Sequence, residues 1–329
     1  MFFLLHGALL GLLKGNILNE NQHGSFIYFS HVYYLLHPML SIILGWNIFP
    51  IIFKEKSLYP IFRRFMLYSF YFGVLIALLF YVLFKSGNSN YDSIDIWNIF
   101  YGGSFFLSLS NGFFSPILVI VSSLLLGKRV GMVSSLIISL IYYYKTIKKS
   151  SIVFTIIFLI FIFFSVQLID YQSLGIAGIS RIQATTEAAS EDNSIDVVTA
   201  GRFIEASSAF QILNNSIFNL VFGMGFGSFF LPWPDLDSNY LSHYTHFTPI
   251  SYFWIGGLFL PILVYFFLVK LLISIFKLST NNLPAGTIMF FQMFLLIVVI
   301  SSFSGAVLMN NSLLWAFIGM AFKLIDSNK

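Results

Sequence analysis

The sequence predicts an all-α, polytopic integral membrane protein, and three observations lead to this prediction. Hydrophobic residues make up 58% of the chain and charged residues only 9%, whereas about a quarter of the residues of a soluble domain are charged. The mean hydropathy is +0.87. Many apolar runs are about 20 residues long, the length that a helix needs to cross the hydrocarbon core of a bilayer. Because these runs lack the alternating polarity of barrel strands, we expect helices rather than a transmembrane β-barrel.

The apolar runs predict about eight to ten membrane helices. The longer runs lie at residues 25–53, 65–84, 99–126, 152–169, 247–269 and 285–308. The shorter or more polar ones lie at 1–13, 130–144, 216–231 and 313–322. The run at 1–13 has no basic leader and no small-residue cleavage site, so we interpret it as a short or truncated span rather than a signal peptide. No repeat of fixed period and no linker divides the chain, which predicts a single membrane domain over residues 1–329.

Basic residues predict which loops face the cytoplasm. They form four clusters, all of which we assign to the cytoplasmic side: Lys54, Lys56, Arg63 and Arg64; Lys145, Lys148 and Lys149; Lys270 and Lys277; Lys323 and Lys329. The polar segment 170–246 then lies outside as one large loop. Lys128 and Arg129 conflict with this alternation, because a single short span separates them from Lys145. We therefore expect part of the segment 97–126, which glycine and proline interrupt, to be re-entrant.

The composition also excludes several kinds of site. The chain has no cysteine, so it has no disulfide framework, no thiolate metal site and no cysteine nucleophile. A formal net charge of +4 is small and does not require a nucleic-acid partner. In a chain with so few charges, those grouped in the outer loop are the best indication of chemistry. That loop contains Arg181, Arg202, His243, His246 and the glycine-rich run 223–227.

Arg202 follows a glycine and precedes a segment, 203–213, whose apolar residues recur with helical spacing. We therefore expect Arg202 at the start of an amphipathic helix near the outer membrane surface. A guanidinium group binds phosphate oxygens bidentately and stays charged, and a helix N-terminus also attracts anions. These properties favour a phosphate or pyrophosphate ligand. The alternative is that Arg202 forms an ion pair with Glu205 on a solvated helix face, where such pairs contribute little.

The run Gly223-Met-Gly-Phe-Gly227 allows the backbone to turn sharply or to approach a ligand closely. It does not follow a strand, so the dinucleotide-binding interpretation of such a motif does not apply. Close packing against a neighbouring helix explains the glycines equally well, because small residues let membrane helices approach one another.

The two histidines of Ser242-His-Tyr-Thr-His246 lie just before the run 247–269, at the outer end of that expected helix. Histidine is the side chain best suited to accept a proton near neutral pH, which makes His246 a candidate general base. An interfacial anchor is the alternative role. His243 and His246 could also share a metal ion, but no neighbouring carboxylate pattern supports a zinc site, and we expect no metal or other cofactor.

The order and spacing of these features resemble those of the O-antigen polymerase and ligase superfamily of membrane enzymes. The family elements are similar to Lys128-Arg129 before a span, the basic turn 145–149, the span 152–169, Gly201-Arg202, the glycine run, and His246 ahead of Gly256 and Gly257. The resemblance covers roughly residues 124–260. It implies a bacterial inner-membrane enzyme, with its site on the extracytoplasmic face, that transfers glycans from undecaprenyl pyrophosphate. A chain-length regulator and a flippase are the implied protein partners.

The resemblance also implies roles for the site residues. His246 would be the base or orient the acceptor hydroxyl, and Arg202 would be the main pyrophosphate clamp. Arg129 and Arg181 would be secondary clamps, with Lys128 and His243 as further pyrophosphate-binding residues. The expected product is O-antigen, capsular polysaccharide or exopolysaccharide built from lipid-linked repeat units.

Two other functions stay open at this point. The first is an O-antigen ligase, which differs only in the acceptor. Asparagine commonly follows the histidine in the family, so the presence of Phe247 at that position mildly disfavours a ligase. A flippase or transporter of lipid-linked oligosaccharides is the second. Transporters place ionisable residues near the bilayer midplane and often contain inverted repeats, and neither feature is evident in this sequence.

Overall fold

The structure is a computed structural model, and it describes residues 2–14, 24–85, 97–110, 114–126, 129–146, 202–232, 242–279, 283–303 and 307–328. Throughout these ranges the regular secondary structure is helical, with one isolated antiparallel bridge between Phe230 and Ser242. The predicted all-α class is therefore confirmed. The predicted span 152–169 and two predicted site residues, Lys128 and Arg181, lie outside the described residues.

The helices of the described ranges are numbered here in chain order. They are α1 (Phe2–Leu13), α2 (Gly24–Phe49), α3 (Tyr59–Lys85), α4 (Trp97–Leu109), α5 (Ser115–Leu126), α6 (Arg129–Thr146), α7 (Arg202–Asn214), α8 (Ile217–Phe222), α9 (Thr248–Gly256), α10 (Phe259–Phe276), α11 (Thr287–Ser302), α12 (Val307–Asn310) and α13 (Ser312–Asp326). A π-helical turn, Pro50–Lys54, extends α2. The interruption expected in 97–126 falls between α4 and α5, whereas the re-entrant path stays a prediction.

Three described helices are long and apolar enough to cross a membrane: Ile27–Lys54, Tyr59–Leu79 and Phe259–Phe276. Large apolar side chains are exposed along two of them, and these are Ile61, Phe65, Phe72 and Leu75 on α3 and Ile262, Leu263, Phe266 and Ile273 on α10. Extended apolar surface of this kind indicates contact with lipid rather than water. The helices therefore support a membrane protein, while the predicted number of eight to ten spans stays a prediction.

Two predicted spans are wrong as continuous helices. The run 247–269 is divided into the buried helix α9 and the lipid-facing helix α10, because Gly257 adopts a φ of 67° and ends α9. The run 216–231 contains only the six-residue helix α8, after which Gly223, Gly225 and Gly227 all have a φ of 79°. Hydropathy averages over these glycines and does not register the chain reversals that they permit.

The described chain forms two compact units, each assembled from distant segments. The first unit comprises Met1–Phe49, Asn193–Leu278 and Val298–Lys329. The second comprises Pro50–Asp192 and Ser279–Ile297. The prediction of a single membrane domain is not tested by this division and stays a prediction.

In the first unit, α2 and α13 run parallel in close contact. Near their starts, the Tyr33 hydroxyl lies 3.4 Å from Ser312 Oγ, and near their ends the rings of Trp46 and Phe322 lie 5.0 Å apart. Between these points a Cβ atom added to Gly319 would lie 2.2 Å from the carbonyl oxygen of Ile42. Glycine therefore permits the backbones to approach as they do in packed membrane helices.

In the second unit, the core is built from phenylalanine rings. Phe53 lies 5.3 Å from Phe62, which lies 5.3 Å from Phe105, and Phe105 in turn lies 5.3 Å from Phe290. These contacts are tilted or edge-to-face, the geometry that aromatic rings favour. Arg129 begins α6 in this unit, and at the other end of α6 the Lys145 ammonium donates a hydrogen bond to the Gln292 side-chain oxygen.

Candidate functional site

Glu205 and His246 form an acid–base pair in the first unit. His246 Nδ1 lies 3.0 Å from Glu205 Oε2 and 3.3 Å from Oε1, and the backbone N–H of His246 donates to Oε2 at 3.0 Å. The Glu205 side chain is only 3% exposed, whereas the His246 side chain is 48% exposed. A buried carboxylate thus holds an imidazole whose other edge faces outward.

This geometry determines which imidazole nitrogen can act as a base. An ionised carboxylate only accepts hydrogen bonds, so Nδ1 of His246 carries a hydrogen atom that it donates to Glu205. Nε2 of the neutral ring then has a lone pair, and no described residue forms a hydrogen bond with it. The carboxylate also stabilises the imidazolium ion that forms when Nε2 takes up a proton. The pair therefore has the arrangement of a general base oriented by an acid.

Helix α7 carries both Arg202 and Glu205. The helix begins at Arg202, as expected, and Glu205 lies one turn later. Arg202 is exposed whereas Glu205 is buried, so the spacing of three residues places both on neighbouring positions of α7 but does not show a contact between their side chains. The solvated Arg202–Glu205 face considered as an alternative does not describe Glu205, which is buried against His246.

The turn that carries His246 is held by hydroxyl groups on both sides. The backbone N–H of Thr245 donates to Ser251 Oγ at 2.8 Å, and the Ser251 hydroxyl lies within 2.8 Å of the Thr245 carbonyl oxygen. Thr245 Oγ1 also accepts a hydrogen bond from the backbone N–H of Phe247 at 3.2 Å. Thr245 and Ser251 are both completely buried. The position of His246 is therefore determined by the start of α9, two residues further on.

The glycine loop, residues 223–227, is a packing element in this structure. The Met224 N–H donates to the Trp254 carbonyl at 2.7 Å, and the Phe226 N–H donates to the Gly7 carbonyl at 3.0 Å. Lys14 donates to the Gly223 carbonyl at 3.3 Å and to Asn219 Oδ1 at 3.0 Å. All three glycines are buried. Of the two interpretations of the run, close packing accounts for these contacts, with α1 and α9 as the neighbours.

His243 belongs to the histidine segment, residues 242–246, but its ring is engaged differently from that of His246. Its Nε2 lies 3.0 Å from the Tyr34 hydroxyl, and the two rings stack with an angle of 2° between their planes. Burial lowers the pKa of His243 below its ordinary value. His243 is therefore neutral at pH 7, and any contact with a pyrophosphate would be a hydrogen bond rather than an ion pair.

Two residues of α2 that the sequence did not single out contribute to this region. His31 is fully buried and lies between the glycine loop and the histidine segment, and Tyr34 contacts His243. An uncommon polar residue inside an apolar helix was the only signal that could have drawn attention to His31.

The described structure does not test the contacts predicted for the other site residues. Arg129 belongs to the second unit, whereas Arg202, His243 and His246 belong to the first. Lys128 and Arg181 lie outside the described residues. The proposed contacts of Lys128, Arg129 and Arg181 with pyrophosphate therefore stay predictions.

The candidate site lies at one end of the helices of the first unit, and two lysines, Lys277 and Lys323, lie at the other. His31, near the start of α2, contacts the histidine segment. Trp46 lies about 15 residues further along α2, and its ring centroid is 4.3 Å from the Lys323 ammonium. At a rise of 1.5 Å per residue, about 22 Å of helix separates these contacts. Likewise, Gly257, two residues before α10, lies beside Gly223 of the glycine loop, and Lys277 follows the far end of α10.

Within the described ranges, no group of three or more His, Asp or Glu side chains is placed to hold a metal ion. His246 Nδ1 and His243 Nε2 are already engaged by Glu205 and Tyr34. Comparisons with protein-family models, with curated proteins and with solved structures find no match. The resemblance to the polymerase and ligase superfamily therefore stays a prediction, and the candidate function depends on the acid–base pair itself.

Proposed function

We propose that the chain is a metal-independent membrane glycosyltransferase that polymerises undecaprenyl-pyrophosphate-linked oligosaccharide units on the extracytoplasmic face. The observation that carries the proposal is the Glu205–His246 pair, whose buried carboxylate orients an accessible imidazole. Glycosyl transfer to a sugar hydroxyl needs such a base, because the hydroxyl must lose its proton as it attacks.

In the proposed reaction, His246 Nε2 accepts the proton of the acceptor hydroxyl while the hydroxyl oxygen bonds to the anomeric carbon of the donor glycan. The bond from that carbon to the pyrophosphate oxygen breaks, and undecaprenyl pyrophosphate leaves with the bonding electrons. Glu205 stabilises the imidazolium ion formed at His246. Arg202, exposed at the start of α7 one turn before Glu205, neutralises the charge that develops on the leaving pyrophosphate.

The positions of Lys277 and Lys323 support an extracytoplasmic site, whereas Lys14, which contacts the glycine loop, does not contribute to this argument. Lys277 and Lys323 lie at the end of the first unit that is remote from the histidine segment. Cytoplasmic ends of membrane helices are enriched in lysine and arginine, so this end is assigned to the cytoplasm. The acid–base pair then belongs to the opposite face, where a lipid-linked glycan presents its pyrophosphate after translocation.

Reconstitution tests the proposal directly. Purified protein in liposomes, given undecaprenyl-pyrophosphate oligosaccharide units and a chelator, is expected to produce a ladder of longer glycans and to release undecaprenyl pyrophosphate. Transfer to lipid A core oligosaccharide but not to a second lipid-linked unit would instead identify a ligase. Movement of the intact lipid across the bilayer without any new glycosidic bond would identify a transporter and contradict the proposal.

The same assay tests Arg202. Replacing it with alanine is expected to lower the transfer rate by about 10²- to 10³-fold, the usual effect of removing one group that stabilises transition-state charge. Arg202→Lys is expected to be intermediate, because lysine keeps the charge but loses bidentate binding. Gln211→Ala, at an exposed position on the same helix, is the matched control. If Arg202→Ala transfers glycan at the wild-type rate, Arg202 does not take part in the reaction.

A further inference from the structure

Helix α2 contains two buried histidines, and each connects α2 to a different part of the first unit. His31 Nδ1 lies 3.1 Å from the backbone N–H of Gly227, and His31 Nε2 lies 2.9 Å from the carbonyl oxygen of His243. His37 instead contacts the Met309 carbonyl at 2.6 Å and Ser312 Oγ at 3.2 Å. One imidazole therefore holds the glycine loop and the histidine segment together.

The partners of His31 define its protonation state without ambiguity. A backbone N–H can only donate, so Nδ1 must be the unprotonated nitrogen. A carbonyl oxygen can only accept, so Nε2 must carry the hydrogen atom. Neutral imidazole in this tautomer satisfies both partners at once. A protonated ring would direct a hydrogen atom at the N–H of Gly227 and lose that contact.

The two segments that His31 joins both lead to the candidate base. His243 lies three residues before His246, and the glycine loop is bonded through Met224 to Trp254 in α9, the helix that follows His246. His31 thus contacts the segment that precedes His246. It also contacts the glycine loop, which in turn contacts α9, the helix that follows His246.

We propose that His31 is a positioning residue that sets the orientation of the Glu205–His246 pair by hydrogen-bonding the glycine loop and the histidine segment. The proposal rests on the proposed function in so far as the pair performs the chemistry. It goes beyond that function in assigning a role to a membrane-helix residue that contacts neither His246 nor Glu205 in the described hydrogen bonds.

The alternative is that the His31 ring only fills space. Its centroid lies 6.2 Å from Phe226, 6.1 Å from Tyr34 and 5.6 Å from His243, so a phenylalanine ring could keep these contacts. Phenylalanine would nevertheless leave the buried N–H of Gly227 without this acceptor, and an unpaired buried polar group is costly. Glutamine has the opposite properties, because its amide offers one acceptor and one donor but no ring.

Amide hydrogen exchange of the full-length protein, followed by mass spectrometry, separates these roles without relying on activity. In His31→Phe, peptides covering 223–230 and 242–247 are expected to exchange about 5-fold faster or more, as expected for the loss of a hydrogen bond of ordinary strength. In His31→Gln both peptides are expected to exchange at near the wild-type rate. His31→Asn keeps an acceptor close to the Nδ1 position but cannot reach His243. It is therefore expected to accelerate exchange only in the peptide covering 242–247.

His37→Phe is the matched control, since it makes the same substitution on the same helix. It is expected to accelerate exchange over residues 307–316 and to leave 223–230 unchanged. Transfer rates should follow the exchange of 242–247, with His31→Gln active and His31→Phe at least 10-fold slower. If His31→Phe does not accumulate, the comparison of His31→Asn with His31→Gln carries the test.

Several results would decide the matter. Wild-type exchange in His31→Phe, or faster exchange in His31→Gln than in His31→Phe, would overturn the hydrogen-bonding role and favour packing. The expected exchange pattern combined with unaltered transfer in His31→Phe would also overturn the proposal. If the variants show the expected exchange pattern but the wild-type protein transfers no glycan, the hydrogen-bonding role of His31 is supported and the proposed function is overturned. The failure of one proposal can therefore be distinguished from the failure of the other.

Discussion

Replacing His246 with alanine is expected to lower the rate of glycan transfer by about 10²- to 10⁴-fold, the usual contribution of a general base. The structure supplies a sharper variant, His246→Asn. An asparagine amide can donate to Glu205 from near the position of Nδ1, yet it has no group that accepts a proton from a sugar hydroxyl. His246→Asn is therefore expected to keep the fold and lose turnover.

Glu205→Gln is expected to lose transfer for a different reason. The backbone N–H of His246 already donates to Oε2, and a glutamine amide can present its NH₂ group to Nδ1 in place of an acceptor. That contact favours the tautomer with hydrogen on Nε2, which blocks the base. A comparable change of tautomer in the serine protease triad costs about 10⁴-fold in turnover, so we expect a loss of about 10²-fold or more here.

The two substitutions should also be strongly non-additive. If Glu205 acts only through His246, the double variant His246→Asn, Glu205→Gln is expected to transfer glycan as slowly as the slower single variant. Rates measured in the reconstituted assay, with Gln211→Ala as the control on α7, provide this comparison. Losses that multiply would show that the two residues act independently and would contradict the acid–base pair.

The partner of Glu205 could not be predicted from the sequence alone. Its spacing from Arg202 is visible in the sequence and suggested an exposed ion pair between neighbours on a helix. Its actual partner, His246, is 41 residues away and is reached only because α7 packs beside α9. Local periodicity predicted α7 and placed Arg202 at its start, but no local pattern indicates which face of a short amphipathic helix is buried.

The sequence predicted the membrane helices correctly where an apolar run is not interrupted by glycine. Residues 25–53 and 65–84 were expected as spans, and they correspond to the membrane-length helices Ile27–Lys54 and Tyr59–Leu79. The run 247–269 is equally apolar but contains Gly256 and Gly257, where the chain turns. A buried helix inside a membrane protein and a lipid-facing one have similar composition, so hydropathy cannot distinguish α9 from α10.

The contact between His31 and the glycine loop could not be predicted from the spacing of residues in the sequence. The three glycines suggested either a ligand-binding loop or helix packing, and the sequence contained no indication of the partner. The structure places α1, α2 and α9 against the loop, with His31 accepting from Gly227 and Trp254 accepting from Met224. His31 and Gly227 are 196 residues apart in the sequence, and a contact at that separation is decided by the tertiary fold.

Gly257→Ala is expected to destabilise the protein by more than about 3 kcal/mol, because two unfavourable effects coincide. The residue has a φ of 67°, a conformation that disfavours a side chain. A Cβ atom at this position would also lie 2.0 Å from the Val221 carbonyl oxygen, so the last turn of α8 would have to move. Since the Leu258 N–H donates to the Leu220 carbonyl at 3.0 Å, the same movement would pull the glycine loop away from α9.

The midpoint of thermal unfolding in detergent, together with the yield of monodisperse protein, measures this effect. Gly103→Ala is the matched control, because its added Cβ atom would lie 3.4 Å from Val119 Cγ1 within a regular helix. That control is expected to unfold at or slightly above the wild-type temperature, since alanine favours helix over glycine. Equal unfolding temperatures for Gly257→Ala and Gly103→Ala would mean that the break between α9 and α10 does not depend on glycine. The division of the run 247–269 would then lose its physical explanation.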